Sequence, residues 1–234
     1  METAPKTRLN RAIRISKDEF ENSLWNDQKT VVGIDEVGRG CLAGPLVVGA
    51  AILPIGITSP LLKDSKVLDH NEREAAYVWI QEHALFQAAI LHNRFIDQHD
   101  IYQSTLMGMK KALVNLLSIA PQRPGAILVD AMPLTLAETG ITDIPIYFFN
   151  KGESLSSSIA AASIVAKVTR DRLMGHYATL FPGYTLEQHK GYATKDHQDA
   201  LIIQRQTIIH RTTFLRTLLA PKESHESTHQ QSIC

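Results

Sequence analysis

Two apolar runs on either side of a glycine-rich turn, at residues 30–35 and 46–53, constrain the fold of this chain most strongly. Both runs are rich in β-branched residues and are bounded by glycine or proline, which is typical of buried strands. The first run ends in Asp35 and Glu36, and a third acid, Asp130, ends another short apolar run. Strands that end in carboxylates predict chemistry at that edge of the sheet, because side chains leave the core there.

The rest of the pattern alternates between strands and helices. Strands are predicted at 85–93 and 144–149, and helices at 70–83, 101–117 and 154–174. Strands that precede helices and then alternate with them predict an α/β fold, with a mixed β-sheet flanked by helices.

The chain is expected to contain one main domain. Apolar residues make up 44% of the 234 residues, enough for one sizeable core. The polar residues 1–29 are predicted to form an N-terminal arm, residues 30–220 the main domain and residues 221–234 a disordered tail.

Charge and cysteine content narrow the class of protein only slightly. Lys plus Arg and Asp plus Glu each number 24, so net charge gives no global argument for a nucleic-acid partner. Cys41 and Cys234 do not make a disulfide framework and fit a reducing compartment. No apolar stretch reaches membrane-spanning length, and the basic N-terminus lacks the apolar run of a signal peptide. A cytoplasmic location is the expectation, with a transit peptide as the alternative.

A fourth acid, Asp171, continues the inward face of the long helix after Ile164 and Val168. Carboxylates that converge would hold protons unless a cation offsets their repulsion. Oxygen ligands favour Mg²⁺ or Mn²⁺ over zinc, and two such ions can clamp a phosphodiester. The alternative for each acid is a helix cap or a surface salt bridge. Asp35 and Glu36 point to opposite faces, so both reach one site only if the strand ends or bulges at Asp35.

Two further motifs have competing interpretations. The stretch Gly38-Arg39-Gly40 is either an ordinary turn or a loop whose backbone approaches a ligand while Arg39 binds a phosphate. It is not a P-loop, since no Gly-Lys-Ser/Thr follows. The HESTH stretch at 225–229 matches a zinc-protease pattern, but it lies in a polar tail with no core to hold it, which argues against a zinc site.

Six blocks in order resemble the type 2 ribonucleases H, the ribonuclease HII family. They extend from about residue 31 to 216 and read GIDEVGRGCLAGPLVVGAAIL, LKDSK, LVDAMPL, KGESLSSSIAAASIVAKVTRDRLM, HKGYATKDH and HRTTF. The resemblance implies a ribonuclease H-like mixed sheet with a helical C-terminal part. It implies an endonuclease that degrades the RNA strand of RNA–DNA hybrids and cuts 5′ of ribonucleotides embedded in duplex DNA, leaving 5′-phosphate and 3′-hydroxyl ends by two-metal-ion hydrolysis.

The resemblance also assigns residues. It implies that Mg²⁺ or Mn²⁺ is bound, and catalysis performed, by Asp35, Glu36, Asp130 and Asp171. The loop Gly38, Arg39 and Gly40 would sense the 2′-hydroxyl, and Tyr192 would stack on the sugar at the ribo-to-deoxyribo junction. Near the substrate backbone it places Lys66, Ser158 and Lys190. The family often has a lysine where this chain has Val67, and often a glycine where it has Ala131.

Alternative functions stay open on sequence alone. Another polynucleotidyl transferase of the same fold would share the acids but lack the glycine loop and its tyrosine. A non-catalytic nucleic-acid binder is supported by a basic C-terminal segment containing Arg205, Arg211, Arg216 and Lys222. Acids at a phosphate site argue against pure binding, because they repel the backbone. The expected partners are RNA–DNA hybrid and ribonucleotide-containing DNA, bound by a monomer. A sliding clamp lacks support, since the tail has no clear aromatic clamp-binding motif.

Overall fold

The fold is built on a mixed six-stranded sheet with helices on both faces. The computed structural model describes residues 7–8, 16–136 and 139–216. The strands are β1 (Thr7–Arg8), β2 (Val31–Val37), β3 (Leu46–Ile52), β4 (Leu85–Leu91), β5 (Ala126–Asp130) and β6 (Ile146–Phe149). Every strand that the sequence predicted is confirmed, with ends displaced by at most two residues.

The order of the strands brings the acidic strand ends together. The sheet runs β1-β6-β5-β2-β3-β4. Strands β1, β6, β5 and β2 are parallel, whereas β2–β3 and β3–β4 are antiparallel. In the parallel register Ile34 lies opposite Val129, and Asp130 lies opposite Phe149. Asp35 and Asp130 therefore leave the sheet side by side, and the chain after β6 emerges at the same edge.

Seven helices lie within the described residues. They are α1 (Glu19–Asn26), α2 (His70–His83), α3 (Asn93–Ile119), α4 (Ser157–Leu180), α5 (Leu186–His189), α6 (Lys195–Gln204) and α7 (Thr212–Leu215). Helix α2 has the predicted bounds, and Asp69 caps its N-terminus by accepting a hydrogen bond from the Glu72 amide. Helix α3 begins before the predicted residue 101 because an extra N-terminal section joins it at a kink, where Asp100 has φ 61°.

The sheet separates two apolar cores. On one face, Val32 and Ile34 of β2 pack with Met109 and Leu113 of α3. On the other face, α4 packs against β3, and α2 packs against α4 and β4, in a second core. Gly33 allows α4 to lie directly on β2, because a Cβ at this position would come within 2.0 Å of the Ser158 carbonyl carbon. This close approach places the start of α4 over the acidic end of the sheet.

The described part of residues 1–29 packs against the sheet and α4. Strand β1 pairs with β6, and Trp25 of α1 is buried. Carboxylates of Asp18 and Glu21 accept hydrogen bonds from the amides of Ser157 and Ser158, so α1 caps α4. The arm boundary at residue 29 stays a prediction. The tail at 221–234, with its HESTH stretch, lies outside the described residues.

A small helical layer completes the described chain. Helices α5, α6 and α7 pack with the end of α4 and with Leu42 and Ala43, forming a separate apolar cluster. This layer is the predicted helical C-terminal part. Within the described ranges, no helix is long and apolar enough to cross a membrane.

Candidate metal centre and the loops around it

Three carboxylates converge at the acidic edge of the sheet. Ligating oxygens of Asp35, Asp130 and Glu153 all lie within 4.8 Å of one another. Asp35 and Asp130 come from the neighbouring strands β2 and β5, and Glu153 comes from a short 3-10 turn, Gly152–Ser154, between β6 and α4. The amide of Gly152 donates to Asp130 Oδ1 at 2.8 Å, which ties this turn to the end of β5.

The cluster is electrostatically strained without a cation. Burial raises the pKa of Asp35 well above its usual value, and the charges of Glu36 and Asp130 raise it further. Burial also raises the pKa of Asp130 and that of Glu153. Buried acids with raised pKa values that face one another are typical of sites that bind a cation.

Glu36 flanks the cluster and does not complete it. Strand β2 continues without a bulge to Val37, with Asp35 opposite Gly49 and Glu36 opposite Val48. Glu36 Oε1 lies 3.5 Å from Arg39 Nη1, while its Oε2 is buried without a hydrogen-bond partner among the described residues. Burial is the main cause that raises its pKa to about 7, and the Arg39 charge opposes this. Asp35 and Glu36 could reach one site only if the strand ended or bulged at Asp35, and β2 does neither.

Lys66 is a cation that contacts the cluster. Its Nζ donates to Glu153 Oε1 at 2.9 Å, although its side chain is 73% exposed. Burial opposes its charge, but the hydrogen bond and charge of Glu153 raise the pKa of Lys66 above its usual value. Glu153 Oε2 is buried without a partner in the described chain. One exposed ammonium therefore meets three mutually close acids. Val67, beside it, is 70% exposed and supplies no charge.

The structure does not bring Asp171 into the cluster, which corrects the expectation from helix periodicity. Its carboxylate contacts Lys167 Nζ at 2.8 Å and Arg73 Nη1 at 3.8 Å. Asp171 lies more than three turns beyond the start of α4, whereas Glu153 lies just before it. Among the described residues, the carboxylate forms its ion pairs with two basic side chains, Lys167 and Arg73.

Glu153 is the acid that sequence reasoning missed. A signal was present, since it closely follows the predicted strand at 144–149, just as Asp130 ends its own strand. Acids after parallel strands share one edge of the sheet. The same rule that selected Asp130 would have selected Glu153.

Two buried arginines hold the loop Gly38-Arg39-Gly40. Arg211 donates to the carbonyls of Gly38 at 2.6 Å and Arg39 at 2.8 Å, and also to that of Gly44. Arg170 donates to the carbonyls of Ala43 and Pro45. Gly38 has φ 94°, and a Cβ there would lie 2.3 Å from Arg170 Nε. Only glycine fits this position, because both its backbone conformation and its packing exclude a side chain.

Tyr192 lies beside this loop. Tyr192 is 38% exposed, and the Arg170 guanidinium carbon lies 5.6 Å from the centre of its ring. Burial is the main cause that raises its pKa. Cys41 is fully buried, and burial raises the pKa of its thiol. Lys190 is half-buried, and its carbonyl accepts a hydrogen bond from Arg170 Nη1 at 2.8 Å.

Two side chains that the sequence predicted to lie near nucleic acid are buried. Ser158 is 0% exposed, and its amide donates to Glu21 Oε1, so it lies under the surface. Arg211, which was counted in a basic binding segment, is also 0% exposed and binds backbone carbonyls. In the same segment Arg205 and Arg216 are exposed, and Lys222 lies outside the described residues.

The donor set fits a hard divalent cation. Asp35, Asp130 and Glu153 offer oxygen atoms only, and the buried Oε2 of Glu153 lacks a partner within the described chain. Carboxylates without histidine or cysteine favour Mg²⁺ or Mn²⁺. A cation would also relieve the repulsion that raises these pKa values.

Over most of its length the chain resembles proteins of one family. The sequence model "Ribonuclease HII" matches residues 32–217. A ribonuclease HII of Lactobacillus delbrueckii subsp. bulgaricus is 44% identical over 83% of this chain and 73% of its own length.

Solved structures share the fold. Ribonuclease HII in a complex with PCNA from Archaeoglobus fulgidus has a TM-score of 0.64 and 24% identity, over 78% of this chain and 94% of that one. A Bst ribonuclease HIII in complex with Mn²⁺ has a TM-score of 0.56 and 23% identity, over 80% of this chain and 74% of that one. These structures establish the ribonuclease H-like architecture.

Proposed function

The chain belongs to the ribonuclease HII family of enzymes that degrade the RNA strand of RNA–DNA hybrids, and we propose that it also cuts 5′ of single ribonucleotides embedded in duplex DNA. The observation that carries this proposal is the position of the acids and loops. Asp35, Asp130 and Glu153 converge at the edge of the sheet from which the loop containing Gly38 extends. Cleavage and recognition of the sugar can then occur at adjacent places.

The cluster would hold the metal through its own charges. Asp35, Asp130 and Glu153 are the proposed ligands, with Glu36 as a neighbouring carboxylate that can join them after a change of rotamer. When bound, Mg²⁺ or Mn²⁺ ions, two of them in this proposal, activate the attacking water and offset charge on the phosphodiester. Asp171, held by Lys167 and Arg73, is assigned to positioning α4.

Two exposed cations near the cluster are suited to the substrate backbone. Lys66 is within reach of Glu153, and Arg39 is within reach of Glu36. Each can exchange a carboxylate partner for a phosphate once a metal neutralises the acids. This exchange places a phosphodiester against the cluster and orients its scissile bond. Lys190 is proposed to contact the phosphate backbone farther along the nucleic-acid strand.

The loop and Tyr192 would read the sugar. Arg211 occupies the carbonyls of Gly38 and Arg39, while the amides of Arg39 and Gly40 find no acceptor among the described residues. These two free N–H groups can donate to a 2′-hydroxyl, which can accept hydrogen bonds. Gly40 has no side chain that would block the approach of the sugar. Tyr192, stacked on the next sugar, would leave no room for a 2′-hydroxyl there and would favour deoxyribose.

A cleavage assay tests this function directly. Duplex DNA containing one ribonucleotide, a long RNA–DNA hybrid and all-DNA duplex are incubated with Mg²⁺, Mn²⁺, Zn²⁺ or excess EDTA. The first two substrates should be cut with Mg²⁺ or Mn²⁺, giving 5′-phosphate and 3′-hydroxyl ends, and the all-DNA duplex should stay intact. Activity that persists in EDTA, or that Zn²⁺ alone restores, contradicts the proposed metal chemistry.

Tyr192→Ala separates recognition of the junction from cleavage. The variant should lose about tenfold more activity on the single ribonucleotide than on the hybrid, because a stacked ring contributes about 1–3 kcal/mol to base or sugar contacts. Tyr192→Phe is the matched control and should keep the ratio of the two activities. An unchanged ratio in Tyr192→Ala would assign discrimination to the glycine loop alone.

A further inference from the structure

One dipeptide connects the two elements that are proposed to read the sugar. His210 and Arg211 are adjacent in sequence, and their side chains are 2% and 0% exposed. Arg211 contacts the loop Gly38-Arg39-Gly40, whereas His210 reaches Tyr192 through His197. We infer that His210–Arg211 sets the spacing between this loop and Tyr192 and thereby the preference for a ribo-to-deoxyribo junction. The inference rests on the proposed function and names positioning residues for it.

The backbone determines the direction of the histidine relay. The Thr207 amide lies 3.0 Å from His210 Nδ1, and an amide can only donate, so this nitrogen accepts. A neutral His210 then carries its proton on Nε2 and donates to His197 Nε2 at 3.1 Å. His197 is left with its proton on Nδ1, which donates to the Tyr192 carbonyl at 2.9 Å. The relay therefore ends on the backbone of Tyr192.

A third histidine supports the same segment. The Gly191 amide donates to His189 Nδ1 at 3.1 Å, so His189 Nε2 carries the proton and donates to the Tyr184 carbonyl. The rings of His189 and His197 stack with their centres 4.4 Å apart. The three histidines thus form a neutral, buried stack behind Tyr192.

Arg211 holds the loop Gly38-Arg39-Gly40, whose spacing from Tyr192 is in question. Its guanidinium contacts the carbonyls of Gly38, Arg39 and Gly44, and its own amide donates to the Leu42 carbonyl at 2.8 Å. A planar guanidinium that binds several carbonyls has little rotational freedom. Any movement of residue 211 is therefore transmitted to the glycine loop.

Arg170 connects the two loops directly. It donates to the Lys190 carbonyl on one side and to the Ala43 carbonyl on the other. The Leu42 amide also donates to the Gly191 carbonyl at 2.9 Å. These contacts hold the two loops together, and His210–Arg211 determines which residues of each loop are in register.

The environment favours neutral histidines. Burial, followed by the charge of His197, lowers the pKa of His210 to about 4, and burial also lowers that of His197. The titratable groups that face His197 are Tyr184, His189 and His210, and none of them carries a carboxylate. No carboxylate within this stack would stabilise a charged ring.

The protonation pattern can be measured without a variant. Long-range proton–nitrogen NMR spectra of the ¹⁵N-histidine-labelled protein at pH 7 distinguish the two neutral tautomers and the cation. His189 and His210 should carry the proton on Nε2, and His197 should carry it on Nδ1. A proton on Nε2 of His197, or a charged ring in the stack, would overturn the relay.

Paired amide substitutions test the effect on the substrate. The side-chain amide of asparagine takes the place of the histidine Nδ1, and the side-chain amide of glutamine takes the place of Nε2. His197→Asn can therefore still donate to the Tyr192 carbonyl, whereas His197→Gln can contact only His210. We expect His197→Gln to lower the ratio of single-ribonucleotide to hybrid cleavage about tenfold, since small misplacements at a site are costly. His197→Asn should keep the ratio within about twofold. Replacement of the exposed His83 by Gln is the matched surface control.

Arg211→Lys extends the test to the other half of the dipeptide. It keeps the charge but loses the planar fork, and the ratio should fall about tenfold while the protein still cuts the hybrid. Two outcomes would refute the inference. One is an equal effect of Asn and Gln at position 197, and the other is an unchanged ratio of the two activities in His197→Gln and Arg211→Lys proteins that still cut the hybrid. If the wild-type protein does not cut at the single ribonucleotide, the proposed function is refuted instead. The NMR spectrum then still tests the direction of the histidine relay.

Discussion

The carboxylate cluster and the arginine–histidine region lie next to each other, yet each buries charge in a different way. Asp35, Asp130 and Glu153 face one another, and the exposed Lys66 pairs with Glu153. Arg170 and Arg211 are fully buried, but their guanidinium groups bind backbone carbonyls in two loops. The acids are only partly compensated, whereas the arginines are well satisfied.

This difference separates a reactive site from its support. Buried charges without partners raise the free energy of the folded protein, and such sites are frequent where an ion must bind. Buried charges with full hydrogen bonding restrict conformation instead. We therefore expect substitutions of the acids to affect cleavage and substitutions of the arginines to affect stability and selectivity.

Asp130→Asn should give the largest change. Loss of one ligand charge should reduce cleavage of the hybrid at least about a thousandfold, which corresponds to about 4 kcal/mol of transition-state stabilisation. Binding to the hybrid should persist, because a negative charge near phosphate is removed. Single-turnover cleavage and a binding titration measure the two effects. Full cleavage by this variant would contradict the assignment of the cluster.

Glu153→Gln and Asp171→Asn compare the acid in the cluster with the acid outside it. Glu153→Gln should reduce cleavage about a hundredfold, in the range seen when a metal site loses an important contact. Asp171→Asn should stay within about tenfold, because Lys167 and Arg73 are its partners. A larger loss in Asp171→Asn than in Glu153→Gln would restore the acid set expected from sequence.

Arg211→Met should destabilise the protein. The carbonyls of Gly38, Arg39 and Gly44 would lose their buried donor, which should lower the free energy of unfolding by about 2–4 kcal/mol. Arg172→Met removes only an exposed pair with Glu74 and should cost less than about 1 kcal/mol. Urea denaturation compares the two variants, and equal losses would show that Arg211 holds the loops no better than a surface pair.

Acid should destabilise the histidine stack. The pKa of His210 is lowered to about 4 mainly by burial, so between its ordinary value of 6.5 and 4 the unfolded chain binds a proton that the folded protein does not. Stability is therefore lost as pH falls through this range, by about 2 kcal/mol between pH 7 and 5 for this one group. Urea denaturation should show a smaller difference between these pH values in His210→Gln. An identical dependence in that variant would exclude His210 as the cause.

The carboxylate edge should respond to pH in the opposite direction. The pKa of Glu36 is raised to about 7 mainly by burial, so the folded protein holds a proton that the unfolded chain has released between 4.5 and 7. Its contribution to stability falls as pH rises through this range. In EDTA at pH 8, Glu36→Gln should raise the free energy of unfolding by an amount on the order of 1 kcal/mol, and at pH 4 it should change little. A destabilised variant at pH 8 would indicate a structural role for this carboxylate.

Much of the fold was predictable because the elements are locally encoded. The runs 30–35 and 46–53 have the composition of buried strands, and α2 is bounded by its own cap at Asp69. The kink at Asp100 was not predictable, since a positive φ at a non-glycine residue depends on surrounding packing. The site was predicted in part, because Asp35 and Asp130 end strands whereas Asp171 was judged by periodicity alone.

By itself the sequence determined the five strands β2 to β6, the family and the two strand-end acids, because these depend on residue types at short spacing. Only the tertiary structure decided which charges meet. Glu153 joins the cluster because β6 lies beside β5 and α4 starts over that edge, while Asp171 meets Arg73 from α2. Likewise, Arg211 contacts a loop more than 170 residues away along the chain. A side chain's partner depends on how strands and helices are arranged in space, and contacts between distant segments leave no local pattern in the sequence.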